Sequence, residues 1–582
     1  MQDYVAPIED YRFLLGEVLG FDAEMQELGK DVDADLAGAV LEEAGKFCAG
    51  TLHPINRSMD EEGAHLVNGE VKTPAGFADA YREFAAGGWT SLSADPEYGG
   101  QGLPFILQLW LDEMLSASNL SFGLVPGLSR GASEAIAAHA SDALKQTYLP
   151  KLVNGEWTGA MALTESGAGT DLALLKTKAT PKGDGSYAVT GQKIFISTGD
   201  HDFGGNVIHL VLARLPDAPE GVKGISLFLV PKFLVNEDGS LGARNGMSVG
   251  SLEEKMGIHA QPTCVMNYDD ATGWLVGEPN RGLMAMFTMM NAERLMVGIQ
   301  GLGIAGASYI QAVGYAKDRL QGRSADGARG PVAIIEHADV RRMLLNVRGF
   351  VEAARALAGW VALQMERSHH HAEPGERAKA DALVALLTPV VKAGFTDFGF
   401  ESAVQAQQVF GGHGYIREWG MEQYVRDARI AQIYEGTNGV QAMDLVGRKF
   451  SLAGGAVVDG FFDLVAAELA EAGKSESASL IAERTTAALA LLREVTTSLR
   501  GADTDTLGAA AVDTCRMFAL VSFGWMWAKM AAAASAGDTP FHAAKTEVAR
   551  YFATRMLPQV EGLASQIKAG PEPMLAMGVE AF

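Results

Sequence analysis

Cysteine is scarce in this chain of 582 residues. Its three cysteines, Cys48, Cys264 and Cys515, lie hundreds of residues apart and form no Cys-x-x-Cys pair. That spacing argues against a disulfide framework and for buried thiols in a reducing compartment. Positive charge is also short: 47 Lys and Arg face 71 Asp and Glu, a formal net charge of −24. Bulk electrostatics then opposes binding to nucleic acid or to an anionic membrane surface, while leaving room for a local basic pocket around a phosphorylated ligand. No uninterrupted apolar run long enough to cross a bilayer is read, because charges or glycines break each stretch. The first residues, MQDYVAPIEDYRF, are acidic and lack an apolar core, so neither a secretory nor a basic transit signal is read there. A soluble, cytoplasmic protein without membrane insertion is expected. There is no obvious internal repeat.

What is present is ample apolar material, 48% of residues, with 20% charged. The length exceeds one ordinary domain. Residues 1–35 read as an extension with a short helix or two. Residues 36–158 read as a helical domain: AGAVLEEAGKF, AGFADAYREFAAG and FILQLWLDEMLSASNLSFGLV repeat apolar positions at three- and four-residue spacing. Residues 159–281 change period into short strand-like runs, among them YAVTGQKIFIS, VIHLVLARL and GISLFLV, with turns such as Asp184–Gly185 and Asp238–Gly239 between runs. Residues 282–450 return to long helices, interrupted by a polar loop from Gly322 to Pro331 and a turn at His369–Gly375. Residues 451–582 are alanine-rich and helical, with 15 acidic and 10 basic residues, which excludes a nucleic-acid arm. The fold class expected is mainly α with a middle all-β domain and an extra C-terminal helical domain.

Several features invite chemistry and are read as packing. Gly301-Leu-Gly-Ile-Ala-Gly306 matches a dinucleotide fingerprint by letters, yet it sits inside a helical pattern with no strand before it. Its glycines are expected to let helices approach. The His369–His371 triplet cannot point three rings one way, so a solvent-facing loop is expected rather than a metal site. Phe523, Trp525 and Trp527 read as core or interface, as does the methionine run Met284, Met286, Met289, Met290 and Met296.

Other stretches are harder to assign to packing alone. Thr164-Glu-Ser-Gly-Ala-Gly-Thr-Asp171 sets hydroxyls, carboxylates and permissive glycines after a strand-like run, a loop able to bring amides and hydroxyls against a polar cofactor edge. Gln192–Gly199 adds an aromatic residue and hydroxyls at another strand end. Gln408-Val-Phe-Gly-Gly-His-Gly-Tyr415 ends a helix in a three-glycine loop suited to close backbone approach. Arg294 and Arg319 fall in predicted helices. In Arg426–Asn438 a carboxylate, Glu435, precedes Gly436 and is expected to project from a turn into a cleft.

These stretches, in this order over residues 40 to 450, resemble the acyl-CoA dehydrogenase family. The length, the extension and the extra C-terminal helices look like a larger bacterial subgroup, which includes enzymes acting on 3-methylmercaptopropionyl-CoA. APIEDYRFLL and YEGTNGVQAMDLVGRK carry that closer likeness. The resemblance implies two helical domains and a β domain around FAD. It implies Glu435 as the base that removes the substrate α-proton, with Thr164 and Ser197 as hydroxyls beside the flavin and Phe195 as the aromatic residue next to its ring. Thr170 falls near the phosphate portion of the substrate and Arg294 near the base and the acyl-CoA channel. Arg319, Gln408, Gly411 and Gly412 match positions that reach FAD across a subunit interface, and Thr437 matches one that contacts FAD. The chain departs from many relatives after Arg319, where Leu320–Gly330 makes a longer loop.

The implied reaction is FAD-dependent α,β-dehydrogenation of an acyl-CoA thioester, with 3-methylmercaptopropionyl-CoA giving 3-methylthioacryloyl-CoA as the first expectation. A short- or medium-chain acyl-CoA is the second, and a non-catalytic flavoprotein scaffold is the reading from another class. An α-hydrogen is weakly acidic, so a carboxylate is effective only with the carbonyl polarised and the β-hydrogen leaving as hydride. Electron-transfer flavoprotein as acceptor and a homodimer or dimer-based homotetramer are implied likewise.

Overall fold

The computed structural model describes residues 2–582, and the chain divides into two compact units. One takes the chain up to Gly45, Pro104–Ala117 and Val297–Phe582; the other takes Lys46–Leu103 and Ser118–Met296. The class is the expected one, mainly helical with a β-rich middle and further helices after it.

The second unit is built on a seven-stranded sheet. Its order is Met247–Leu252, Thr263–Val276, Tyr187–Ser197, Lys178–Pro181, Asn206–Arg214, Trp157–Ala162. The strand Ile225–Pro231 pairs with both Thr263–Val276 and Asn206–Arg214, so five strands close into a ring. Closure explains why alternation is weak in the sequence. Asn206–Ala213 is buried at every position, one face against Phe228 and Val230 and the other against a core holding Trp157 and Ile136. The helix Leu120–His139 packs on that second core. It starts where the Asn119 side chain accepts the Phe122 N–H at 3.1 Å. The methionines belong to the same packing, since Met286 and Met289 are fully buried and Met290 lies against them. Met284 is the exception and is exposed.

Two histidines are buried in this unit. His209 bonds the Tyr268 hydroxyl and the Gly199 carbonyl, each at 2.7 Å, and His201 bonds Thr158 at 2.6 Å. Burial lowers the pKa of both, that of His209 from 6.5 to about 4. Both are therefore neutral when folded and take protons more readily when unfolded. Their contribution to stability is full above pH 6.5 and is lost as pH falls toward 4. For His209 the loss amounts to about 3 kcal/mol at the acid end. Thermal unfolding should show a midpoint falling steeply between pH 6.5 and 4, and His209→Gln should flatten that fall.

The first unit is a bundle. Its long helices are Ala338–His370, Pro374–Val409 and the part of Gly282–Asp318 that follows Met296. Two glycines of the 301–306 motif, Gly301 and Gly303, serve close approach, as expected, and Gly306 has no neighbour nearer than 3.8 Å from a Cβ. A Cβ on Gly301 would stand 2.6 Å from the Phe395 carbonyl oxygen, and one on Gly399 would stand 2.5 Å from that of Gly301. The C-terminal helices join this bundle. Phe523 of Thr504–Ala534 packs against Phe350, Phe395 and Phe398, Trp525 meets Trp360 edge-on at 5.1 Å, and the Trp527 indole donates to the Gly349 carbonyl at 2.8 Å. The aromatic cluster is core, as read.

A buried ion network crosses this unit. Arg355 grips Glu113 through two nitrogens, at 2.9 and 2.6 Å, and pairs with Asp10 of the N-terminal extension. Lys545 of the C-terminal helices pairs with Asp10 and, at 2.9 Å, with Glu352. Burial works against the Asp10 charge, yet Lys545 and Arg355 hold its pKa below the usual range. Burial raises that of Glu113 against the pull of Arg355.

Two expectations need correction. The histidine triplet is not a loop: His369 and His370 face solvent as expected but finish the helix, and His371 is buried, bonding Glu27 at 3.0 Å and capping the Glu373 N–H at 3.1 Å. Four helices do reach the length and hydropathy of a membrane span. Three of them bury 78, 78 and 83% of that apolar window inside the fold, as core helices do, and the fourth, Asn438–Ala472, buries 33% of it and is broken at Leu452–Gly454. All three cysteines are buried, and burial pushes each thiol up to about 12.

Candidate active site

In the β-containing unit the predicted hydroxyls gather at one end of Tyr187–Ser197. Cys264 lies opposite Ile196 and Met266 opposite Lys193, so Ile194 and Phe195 share the one partner Val265. This is a bulge, and a bulge re-aims a side chain. Phe195 takes φ +60° and stands 59% exposed. The Ile194 N–H donates to the Thr164 carbonyl at 2.9 Å, which brings Thr164 alongside. Ser197 is half-buried and ends the strand, followed by Thr198 at φ +52°.

The loop carrying Thr164 and Thr170 is closed by a carboxylate that sequence reading quoted but gave no role. Glu165 accepts from the N–H groups of Lys176 and Thr177 at 2.6 and 3.0 Å, from the Thr177 hydroxyl at 2.7 Å and from Lys193 at 2.8 Å. Lys193 is fully buried and also donates to the Leu163 carbonyl at 2.8 Å. Burial moves the Lys193 ammonium down to about 8 against the pull of Glu165. Burial acts against Glu165 too, but Lys193 and the hydrogen bonds hold it below its ordinary value. Thr170 lies exposed on this loop. Arg294 is buried in Gly282–Asp318, donating to Asn291 at 3.3 Å, with its guanidinium 5.9 Å from the Phe287 ring centre.

In the bundle unit Glu435 occupies the connection between helices Met421–Ala431 and Asn438–Gly447. Gly436 takes the left-handed conformation, at φ +80°, in keeping with the turn expected there. Glu435 takes it as well, at φ +55°. A non-glycine residue there costs on the order of 1–2 kcal/mol, so the surroundings must over-determine the turn. They do. Gln441 donates to the Glu435 carbonyl at 3.0 Å and Lys392 to the Gly436 carbonyl at 2.8 Å. The Asn438 side chain accepts from Lys392 at 2.9 Å and donates to Thr396 and Asp397 at 2.9 and 2.7 Å. Gln432 reaches the same Asp397 carboxylate at 2.6 Å. Thr437 is exposed and caps the following helix, accepting the Val440 N–H at 3.3 Å.

Arg319, read as helical, stands one residue past the helix end and is exposed; its N–H closes the last turn on the Tyr315 carbonyl at 2.9 Å. The Gln408–Tyr415 loop is anchored to that turn. Tyr315 stacks on Phe410 at 4.1 Å, and its hydroxyl bonds His413 at 2.9 Å. Gln408, Gly411 and Gly412 are exposed beside these anchors, Gly411 at φ +57°. The longer loop after Arg319 folds back on itself, with Leu320 bridged to Ala333 and the Gln321 N–H bonded to the Val332 carbonyl at 2.8 Å. Among the described residues, no group of three or more His, Cys, Asp and Glu is placed to hold a metal.

An exposed aromatic face flanked by two hydroxyl-bearing residues suits a flat heterocycle with polar edges. A carboxylate held on a strained, clamped turn suits a positioned base. Models of the acyl-CoA dehydrogenase N-terminal, middle and C-terminal domains match residues 36–156, 160–271 and 280–449. A further model, acetyl-CoA dehydrogenase C-terminal like, matches residues 461–578. The chain belongs to the acyl-CoA dehydrogenase family. A 3-methylmercaptopropionyl-CoA dehydrogenase of Ruegeria pomeroyi is 42% identical over 97% of this chain and 98% of its own. A butyryl-CoA dehydrogenase of Syntrophomonas wolfei is 37% identical over 78% and 77%. An acyl-CoA dehydrogenase of Bacillus anthracis, solved complexed with FAD, superposes with a TM-score of 0.72 at 21% identity, covering 94% of this chain and 90% of that one. This acyl-CoA dehydrogenase is an FAD-dependent oxidoreductase, and the exposed Phe195 beside Thr164 and Ser197 fits that cofactor's ring.

Proposed function

We propose that the enzyme dehydrogenates 3-methylmercaptopropionyl-CoA to 3-methylthioacryloyl-CoA. The observation that carries this reading is the end-to-end match to the Ruegeria pomeroyi enzyme, extension and C-terminal helices included. FAD, when bound, supplies the acceptor for the β-hydrogen and its electron pair. The Glu435 carboxylate takes the α-proton, leaving the carbon–carbon double bond, and its main-chain N–H helps hold the thioester oxygen. Phe195, Thr164 and Ser197 line the ring of the cofactor. Thr170 and Arg294 serve the CoA and the acyl channel. Arg319, Gln408, Gly411 and Gly412 reach the cofactor of a second copy, so the working form is a homodimer or a homotetramer built from two dimers, and Thr437 contacts the cofactor beside the base. Electron-transfer flavoprotein removes the electrons, and the reaction runs in the cytoplasm.

A steady-state series of 3-methylmercaptopropionyl-, butyryl-, pentanoyl-, hexanoyl- and longer acyl-CoAs tests the substrate. Pentanoyl-CoA matches the thioether chain atom for atom, replacing sulfur by a methylene. The thioether substrate should give the highest kcat/KM, with hexanoyl-CoA lower by about tenfold or more for one extra methylene in a fitted pocket. A higher kcat/KM for a long straight chain would overturn the substrate reading while leaving the reaction class in place.

A further inference from the structure

Lys392 sits in the helix Pro374–Val409 with its side chain fully buried, among Leu387, Val390, Val391 and Phe395, all buried as well. An ammonium in such a setting is costly unless its hydrogen-bonding demand is met. Packing alone would be served by methionine, which is unbranched, only one atom shorter and uncharged. Two of its bonds go to one place: the Gly436 carbonyl at 2.8 Å and the Asn438 side-chain oxygen at 2.9 Å. Those two groups flank Thr437, directly after Glu435 and Gly436, the two successive residues that hold positive φ. A pair of left-handed residues relaxes unless its carbonyls are held, and relaxation would swing the Glu435 side chain away from its present direction.

We infer that Lys392 is a positioning residue for the base: by fastening the Gly436 carbonyl and the Asn438 amide it holds the turn that presents the Glu435 carboxylate. This rests on reading Glu435 as the base. Asn438 extends the clamp to Thr396 and Asp397 of the same helix, so the turn is fixed to one rigid element over about one and a half helical turns. Neither of these two bonds of Lys392 goes to a reacting atom. Its loss therefore acts at the turn, on the base and on the Glu435 N–H that meets the thioester oxygen, and leaves the remaining surfaces that bind acyl-CoA unchanged.

The test is Lys392→Met in the FAD-loaded enzyme, with steady-state kinetics on protiated and α-deuterated acyl-CoA. The turnover number should fall about a hundredfold, the scale of a small misplacement of a reacting group. KM should move by less than about threefold. The isotope effect on kcat should rise as proton transfer becomes rate-limiting, a signature that general loosening of the fold would not produce. A folded, yellow K392M enzyme with wild-type kcat and isotope effect overturns the inference. Should K392M fail to fold, Asn438→Ala removes the partner of the same clamp at a half-buried position, and wild-type kinetics in that variant overturn it equally. Glu435→Gln is measured alongside. Full turnover in E435Q removes the reading of the base itself; an inactive E435Q beside a fully active K392M removes only the role of Lys392.

Discussion

Glu435→Gln should leave a yellow, folded protein that binds FAD normally and loses turnover by on the order of 10²–10⁴-fold, the range that a positioned proton-transfer group supplies. Glutamine has the size of glutamate and meets the same left-handed backbone at the same cost, so the turn held by Lys392, Asn438 and Gln441 has no reason to move. What it lacks is a basic oxygen at neutral pH. Acyl-CoA-dependent reduction of an artificial acceptor measures the loss directly, and bleaching of the yellow colour under anaerobic conditions shows whether the first half of the reaction has stopped. Undiminished activity in E435Q would sink the assignment. A non-catalytic scaffold would show FAD that acyl-CoA never bleaches, in the wild type as much as in the variant.

Arg355→Met should be the most destabilising single change in the bundle unit, by about 3–5 kcal/mol, because it strands the buried carboxylate of Glu113 and leaves Asp10 with Lys545 as its one remaining cation in the network described above. The side chain of Arg355 is only 4% exposed and that of Glu113 only 3%, so water does little to screen the loss. The cost comes from the stranded charge more than from the pair itself. Adding Glu113→Leu to the same chain should therefore recover part of the lost stability, a result opposite to simple addition of two harmful changes. Thermal unfolding of R355M, E113L and the double variant reads this out. Equal or greater loss in the double variant than the sum of the singles would show that the network stabilises through its pairing energy instead.

Much of the chemistry was legible in short stretches because its physical needs are local. Gly436 is where a helix cannot continue, and the hydroxyls of Thr164 and Ser197 stand at strand ends. The glycines of 301–306 are embedded in a helical period that no phosphate-binding loop shares. What escaped reading was held by partners distant in sequence. Lys392 looks like an isolated charge in an apolar helix until its two bonds to residues 44 and 46 positions away are seen. Glu165 and Lys193 lie inside stretches that were singled out, but nothing in the letters says that 28 residues apart they form one buried pair. The left-handed conformations of Glu435 and Phe195 were equally invisible, since neither residue type favours them. The histidine triplet misled for the same reason: His371 is buried and bonds Glu27, which lies 344 positions earlier.

The chain by itself determined the order of helical and β segments, the absence of a disulfide framework, the turn at Glu435 and the likeness to a family, because each depends on neighbours a few residues apart. Tertiary structure decided how those segments combine. Whether a membrane-length apolar helix is core depends on what covers it, and Thr504–Ala534 buries its apolar window by packing Phe523 and Trp525 into the bundle. Whether a glutamate stands on a strained turn depends on a clamp from another helix. Strain of this kind persists only where distant contacts outweigh local preference, and those contacts exist only in the folded chain.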